Sequence, residues 1–354
     1  MVTQQTRDRW DELARLVEED SDPEGRWLVM THDNPDPDSL AAAAILARVL
    51  VHRFGRKTTC AYGGIIGRAE NRAMVRTLGL KLSHIRYLAW KNYAHFALVD
   101  AQPGTGNNQL PRKIAPDVVV DHHPVRRLTG RARFVDVRTD YGATATIVAE
   151  YLDQSGAGMT RALATATVYA IRSETLDFRR ESPGPDKQLY DELLPKVDKR
   201  ALAKIQSAPL PVEYFRNLHA ALESLETVET LIISHLGTVE HPDIVPEIAD
   251  LLLRMEGKTW SLCTGVYGDR VYLSIRTTNV RADAGRLMGR LVGRKGKGGG
   301  HGMLAGGWVP ITAGYADDPR NLQRQLARRL AQALRKSPEK LEDLDLQGPS
   351  SAPR

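Results

Sequence analysis

Three short runs of aliphatic and β-branched residues, each closing on acidic or imidazole side chains, limit what this chain can fold into. They are Trp27 to Thr31 (WLVMT) before His32-Asp33-Asn34-Pro35-Asp36-Pro37-Asp38, Phe96 to Val99 (FALV) before Asp100, and the valines of Asp117 to Asp121 (DVVVD) before His122-His123. A near-continuous apolar run of this length is the pattern of a strand buried on both faces. An alanine-rich helical stretch from Ser39 to about Phe54 follows the first run, another apolar run lies at Thr58 to Tyr62, and enough chain for a crossover separates them. Strands alternating with helices in this way imply an α/β domain with a parallel sheet and helices on both faces. In such sheets ligands bind beyond the carboxyl ends of the strands, so the three polar strand ends point to one rim.

The 354 residues exceed what one hydrophobic core usually supports, and the pattern changes along them. Residues 1–182 read as the first domain, closed by two alanine-rich helices between Gly142 and Arg172, and 183–228 as a helical connector. Residues 229–336 read as a smaller α/β unit: a strand (LIISHL), a helix around Val245 to Met255, a hairpin from Trp260 to Arg276 turning at Gly268-Asp269, and a closing helix. In that last helix Leu322, Leu326, Leu330 and Leu334 recur every four residues, the spacing of a core-facing stripe. Residues 337–354, polar and rich in proline and serine, read as a disordered tail.

Cys60 and Cys263, the two cysteines, fall in different predicted domains, which argues against a disulfide or a cysteine zinc site and favours a reducing cytoplasm. No apolar run approaches membrane-spanning length, so no membrane partner is expected. The net charge of +6 suits a phosphate-bearing partner, but the excess arginine is dispersed and decides nothing alone.

The turn after the first strand brings one imidazole and three carboxylates together, with two prolines to stiffen it and Asp38 placed to cap the next helix. Single Asp and Asn residues there are ordinary turn formers; recurrence at Asp100 and Asp121-His122-His123 is what separates a site from a turn. A charged carboxylate at the end of a buried strand is costly unless paired or bound to a metal. Mixed Asp and His donors without cysteine suit divalent ions of intermediate hardness: Mn²⁺ first, with Mg²⁺, Co²⁺ or Fe²⁺ behind it.

These strings together resemble the DHH phosphoesterases. His32 to Asp38 (HDNPDPD) is similar to the family's first motif, Leu98-Val99-Asp100 to its second, and Asp121-His122-His123 to its third. Gly298-Gly299-Gly300-His301, followed by Ala305-Gly306, resembles the DHH-associated domain. The resemblance implies two divalent cations: one held by His32, Asp36 and Asp100, the other by Asp38, Asp100, His122 and a fourth acid. Glu174, in Ile171-Arg172-Ser173-Glu174-Thr175-Leu176-Asp177, takes that fourth place, with Asp177 in reserve, and the second motif has Gln102-Pro103-Gly104 where an arginine is usual. Asp100 and His123 would be catalytic, His123 as hydrogen-bond donor or proton shuttle.

Gly298, Gly299, Gly300, His301 and Arg276 would bind substrate across an interdomain cleft, with Arg68, Arg72, Arg179 and Arg180 as weaker candidates. The implied substrate is a small nucleotide or short oligonucleotide, taken by an enzyme of the oligoribonuclease and pAp-phosphatase type. Cyclic or linear dinucleotides, polyphosphate, and a non-catalytic nucleotide-binding module are the alternatives. A homodimer is left open.

Overall fold

The computed structural model describes residues 3–178, 184–311, 318–344 and 346. Two compact units divide the chain at Pro209 and Leu210.

In the first unit, helix α1 (Gln4–Glu18) precedes strand β1 (Trp27–Asp33) and helix α2 (Pro37–Phe54). The helix begins two residues earlier than expected, because Asp36, not Asp38, is its cap: the Asp36 carboxylate accepts the Ser39 amide at 2.9 Å. Pro37 occupies the first helical position, where a missing N–H leaves nothing unsatisfied. There follow β2 (Thr58–Gly63), α3 (Ala69–Leu78), β3 (Leu82–His84), β4 (His95–Val99), β5 (Val118–Asp121) and β6 (Phe134–Val137), then α4 (Thr144–Ser155), α5 (Arg161–Glu174), α6 (Gly184–Leu193) and α7 (Lys199–Gln206).

The six strands form one parallel sheet in the order β3-β2-β1-β4-β5-β6. The order reverses between β1 and β4, which makes the carboxyl ends of those two strands the rim of a crevice. Successive residues of β1 bury on opposite faces, Trp27 and Val29 with the α1, α2 and α4 side chains, Leu28 and Met30 with a second cluster. The expected α/β class holds, with one correction of detail. The second face is covered by Ile85, Leu88, Trp90, Tyr93, Leu110 and Ile114, which stand in short 3-10 turns and loops instead of long helices.

The second unit contains α8 (Val212–Glu223), β7 (Glu226–Val228), β8 (Leu231–Thr238), α9 (Ile244–Leu252), β9 (Trp260–Tyr267), β10 (Arg270–Thr277), α10 (Ala284–Val292), β11 (Lys297–His301), β12 (Leu304–Pro310), α11 (Pro319–Ala333) and β13 (Glu342–Asp343). Its sheet order is β11-β12-β10-β9-β8-β7-β13, antiparallel except where β8 meets β9. The β9–β10 hairpin turns through Gly268-Asp269, with Gly268 in the left-handed conformation at φ 60°. One face packs on α8 and α9, the other on α10 and α11, where Leu322, Leu326 and Leu330 are core and Leu334 packs at its edge.

The stretch expected to be an independent connector is divided. Helices α6 and α7 pack against α5 and α3 of the first unit, and α8 lies on β8 of the second. The expected tail also begins later, since Glu342–Asp343 pairs with β7 and extends the sheet. Residues 347–354 lie outside the described residues.

Candidate metal centre

His32 stands near the end of β1, Asp36 caps α2 and Asp38 lies in the first turn of that helix, while Asp100 follows β4 and Asp121, His122 and His123 stand at the end of β5. Parallel pairing of β1 with β4 and β4 with β5 puts these three ends side by side. Asp100 itself turns out of the strand at φ 53°. Its Oδ2 lies 3.6 Å from His32 Nε2 and its Oδ1 3.6 Å from His122 Nε2 and 3.5 Å from His123 Nδ1. His32 Nε2 also lies 3.6 Å from Asp36 Oδ1.

Two trios therefore share Asp100: His32, Asp36 and Asp100, and Asp100, His122 and His123, each with ligand atoms within 4.8 Å of one another. Both outer imidazoles are aimed by the backbone. His32 Nδ1 meets the Asp33 carbonyl at 2.8 Å and His122 Nδ1 the Tyr141 carbonyl at 3.2 Å. A carbonyl only accepts, so Nδ1 carries a hydrogen in each ring and Nε2 is the atom that faces the carboxylates.

His122 Nε2 decides whether this geometry fits a cation. It is buried without a hydrogen-bond partner, 3.6 Å from Asp100 Oδ1 and 4.0 Å from Asp38 Oδ2. Those separations are too long for hydrogen bonds. They approach the spacing of two ligands on one ion, about 3 to 3.6 Å for bonds of roughly 2.1 Å. Three oxygen-donor acids and oriented imidazoles in this arrangement fit a divalent metal.

The electrostatics agree. Burial opposes protonation of His32, but Asp100 and Asp36 outweigh it and hold the imidazole well above its ordinary range. Asp100 is likewise buried, yet His123 and His32 keep its carboxyl well below the usual carboxylate range. Burial, then the charges of Asp100, Asp36 and Glu174, push Asp38 well above it. Asp100 and Asp121 overcome the burial of His123 and raise it to about 11. The cluster as a whole attracts positive charge.

Asp38 is placed differently from the other acids. It caps α4 instead of its own helix: Oδ2 accepts the Thr144 amide and Oδ1 the Ala145 amide, both at 2.7 Å. Glu174 ends α5, near enough for its charge to reach Asp38. The reserve acid Asp177 is exposed and paired with Arg172 at 2.5 Å. His123 Nδ1 meets Asp121 Oδ1 at 2.9 Å, a contact that orients the ring.

Gln102 was legible only as a departure from the family pattern; in the structure it is a hub. Its side chain is buried, donates from Nε2 to Asp121 Oδ2 at 2.7 Å, and accepts the Arg126 amide at 2.7 Å and the Thr129 hydroxyl at 2.6 Å. It thereby ties the Asp100 turn to the Asp121 turn.

The residues expected to grip substrate stand in the second unit. Lys297 to His301 forms strand β11. Two of its three glycines are explained by close packing: a Cβ at Gly298 would meet Met288 Cγ at 2.7 Å, and one at Gly300 would meet the Leu304 carbonyl at 2.3 Å. Gly299 has open space at its Cα. The Arg276 guanidinium pairs with Asp250 at 2.6 Å on a side chain only 12% exposed, which commits it within the unit. Arg72 bonds the Gly67 carbonyl, and Arg179 and Arg180 lie outside the described residues. Cys60 and Cys263 are both buried and unpaired.

A parallel sheet with an Asp and His cluster at its switch point defines a class of α/β metal-binding protein. The chain belongs to the DHH family: residues 26–171 match the DHH family, N-terminal domain, and residues 229–334 match the DHHA1 domain. It is 32% identical over 314 residues to an uncharacterized protein of Methanocaldococcus jannaschii, the match covering 88% of this chain and 64% of that longer protein. In fold it is similar to an exopolyphosphatase-related protein from Bacteroides fragilis, with a TM-score of 0.70 at 13% identity over 93% of this chain and 98% of that one. A pGpG-specific phosphodiesterase from Vibrio cholerae matches with a TM-score of 0.32 at 11% identity over 88% of this chain and 99% of that one, too distant to carry weight. Among the described residues no helix is long and apolar enough to cross a membrane.

Proposed function

We propose that the chain is a two-metal phosphoesterase that hydrolyses phosphate esters of short oligonucleotides or of pAp. The observation that carries this reading is the pair of trios sharing Asp100 at the switch point of the sheet. His32, Asp36 and Asp100 would hold one divalent cation, and Asp100, His122, Asp38 and Glu174 the other, with Mn²⁺ the best match to the donor set. Bound there, such ions would lower the pKa of a coordinated water and neutralise charge on phosphoryl oxygens.

The chain's own residues supply the rest. Asp100 Oδ1 accepts the Thr144 hydroxyl at 3.0 Å, which fixes its carboxylate plane. His123 has Nδ1 committed to Asp121 and is 35% exposed, so Nε2 is the atom positioned to give a hydrogen bond or a proton to substrate. The DHHA1 unit is the candidate for recognising the remainder of the substrate, with the edge strand β11 and its backbone amides as the reading surface and Arg276 held back by Asp250.

The test is a substrate panel with Mn²⁺: pAp, RNA and DNA of two to five nucleotides, cyclic and linear di-AMP, and polyphosphate. Mononucleotide or phosphate release from the first two groups, lowered about 10³-fold or more in Asp100→Ala, is the expected result, since that variant removes the ligand common to both ions. Preference for dinucleotides or for polyphosphate would reassign the substrate. Tight binding without turnover in every metal would mark a non-catalytic module.

A further inference from the structure

Asp186, on α6, is absent from every ligand motif, yet it is 0% exposed. Its Oδ2 accepts the Gly142 amide and its Oδ1 the Thr146 hydroxyl, both at 2.6 Å. Each of these partners is a donor, the arrangement that suits an ionised carboxylate.

The Gly142 N–H belongs to the same peptide unit as the Tyr141 carbonyl, and that carbonyl takes the Nδ1–H of His122. One planar amide therefore stands between a buried carboxylate and the imidazole of the candidate metal centre. An anion on the N–H side polarises the amide and strengthens its oxygen as an acceptor. The peptide is also anchored from its other side. The Tyr141 hydroxyl donates to Glu150 Oε1 at 2.9 Å and accepts from Arg138 Nη1 at 3.1 Å, and Arg138 is fully buried with Asp136.

We propose that Asp186 is a positioning residue for His122, acting through the Tyr141–Gly142 peptide to fix the Nδ1–H tautomer and aim Nε2 at the metal centre. Metal-bound histidines commonly give their other N–H to a carboxylate; here a peptide is interposed, so the carboxylate stays clear of the ion. The inference rests on the metal-centre reading above. A purely architectural Asp186, pinning α6 to the first turn of α4, would affect melting but neither metal affinity nor the His122 tautomer.

Two measurements on the full chain separate these cases: Mn²⁺ binding by calorimetry, and ring ¹⁵N NMR of His122 in metal-free protein. Asp186→Asn keeps the shape and removes the charge. It is expected to weaken Mn²⁺ binding about tenfold or more and to turn a single Nδ1–H tautomer into a mixture. Gly142→Ala is the second variant, because its Cβ would meet Asp186 Oδ2 and Thr175 Cγ2 at 3.1 Å and press the carboxylate off the amide; a smaller loss in the same direction is expected.

Folded variants with wild-type Mn²⁺ affinity and an unchanged His122 tautomer would overturn the relay. Wild-type protein that binds no Mn²⁺ would remove the metal-centre reading instead. In that event the tautomer alone decides, a change in Asp186→Asn supporting the relay and no change sinking it.

Discussion

Asp100 sits at φ 53°, a backbone conformation that most side chains avoid, and each of its carboxylate oxygens faces at least one imidazole. Such a residue persists only where its surroundings over-determine it, and Gln102, two positions on, ties this stretch to the Asp121 turn. Truncating Gln102 to Ala would leave Asp121 Oδ2, the Arg126 amide and the Thr129 hydroxyl without their shared partner. The expected outcome is a loss of about 10- to 100-fold in metal affinity or activity, checked by Mn²⁺ titration and initial rates on the preferred substrate. At this scale the candidate ligands could be named from the sequence and the residues behind them could not. Histidine and aspartate at strand ends announce themselves by residue type, whereas a glutamine two positions on has no pattern until the fold brings Asp121 against it. Asp36 and Asp38 show the same limit, since nothing in HDNPDPD says which acid caps its own helix and which one reaches α4.

Helix α4 gathers acids that lie far apart in sequence. Its first turn donates amides to Asp38 and, just before it, to Asp186, while the Thr144 hydroxyl reaches Asp100. The positive end of the helix dipole thereby offsets part of the cluster's negative charge. Strand β8 contains a different, partly buried histidine, His235, whose Nδ1 meets Thr264 Oγ1 at 2.7 Å. Burial, with the Arg324 cation nearby, pushes it down to about 4. An unfolded chain takes up this proton near pH 6.5 and the folded one resists until about 4. The stability contribution is therefore complete above pH 6.5 and declines as pH falls towards 4, by about 3 kcal/mol in total. Denaturant unfolding of wild type and His235→Gln between pH 7 and 4.5 checks this: the difference between them should shrink with acidification, and a constant difference would refute the assignment. Element by element, the apolar strands and the leucine stripe of α11 were visible because burial dictates their composition. Strand β11 was not, because four of its five residues read as glycine or lysine and only its pairing with β12 makes it a strand.

Each unit carries its own buried clusters, and among the described residues both candidate ligand trios lie in the first, Met1 to Pro209. Residues 1–209 made alone are expected to fold cooperatively and bind Mn²⁺ within about threefold of the full chain; a molten product, seen by lost near-ultraviolet dichroism, would show that the units do not fold independently. For the molecule as a whole, the amino-acid sequence determined the α/β class, the parallel sheet and the residue types gathered at the candidate metal centre. Those follow from local apolar runs and from residue types that a buried strand end tolerates only for a reason. The tertiary structure alone decided that α6 and α7 belong with the first unit, that Asp38 serves α4, that Arg276 is held by Asp250, and that Asp186 and Gln102 stand behind the histidines. Each of these depends on contacts between residues tens of positions apart, and no periodicity or composition within a window of the chain encodes which distant partner a polar side chain will meet.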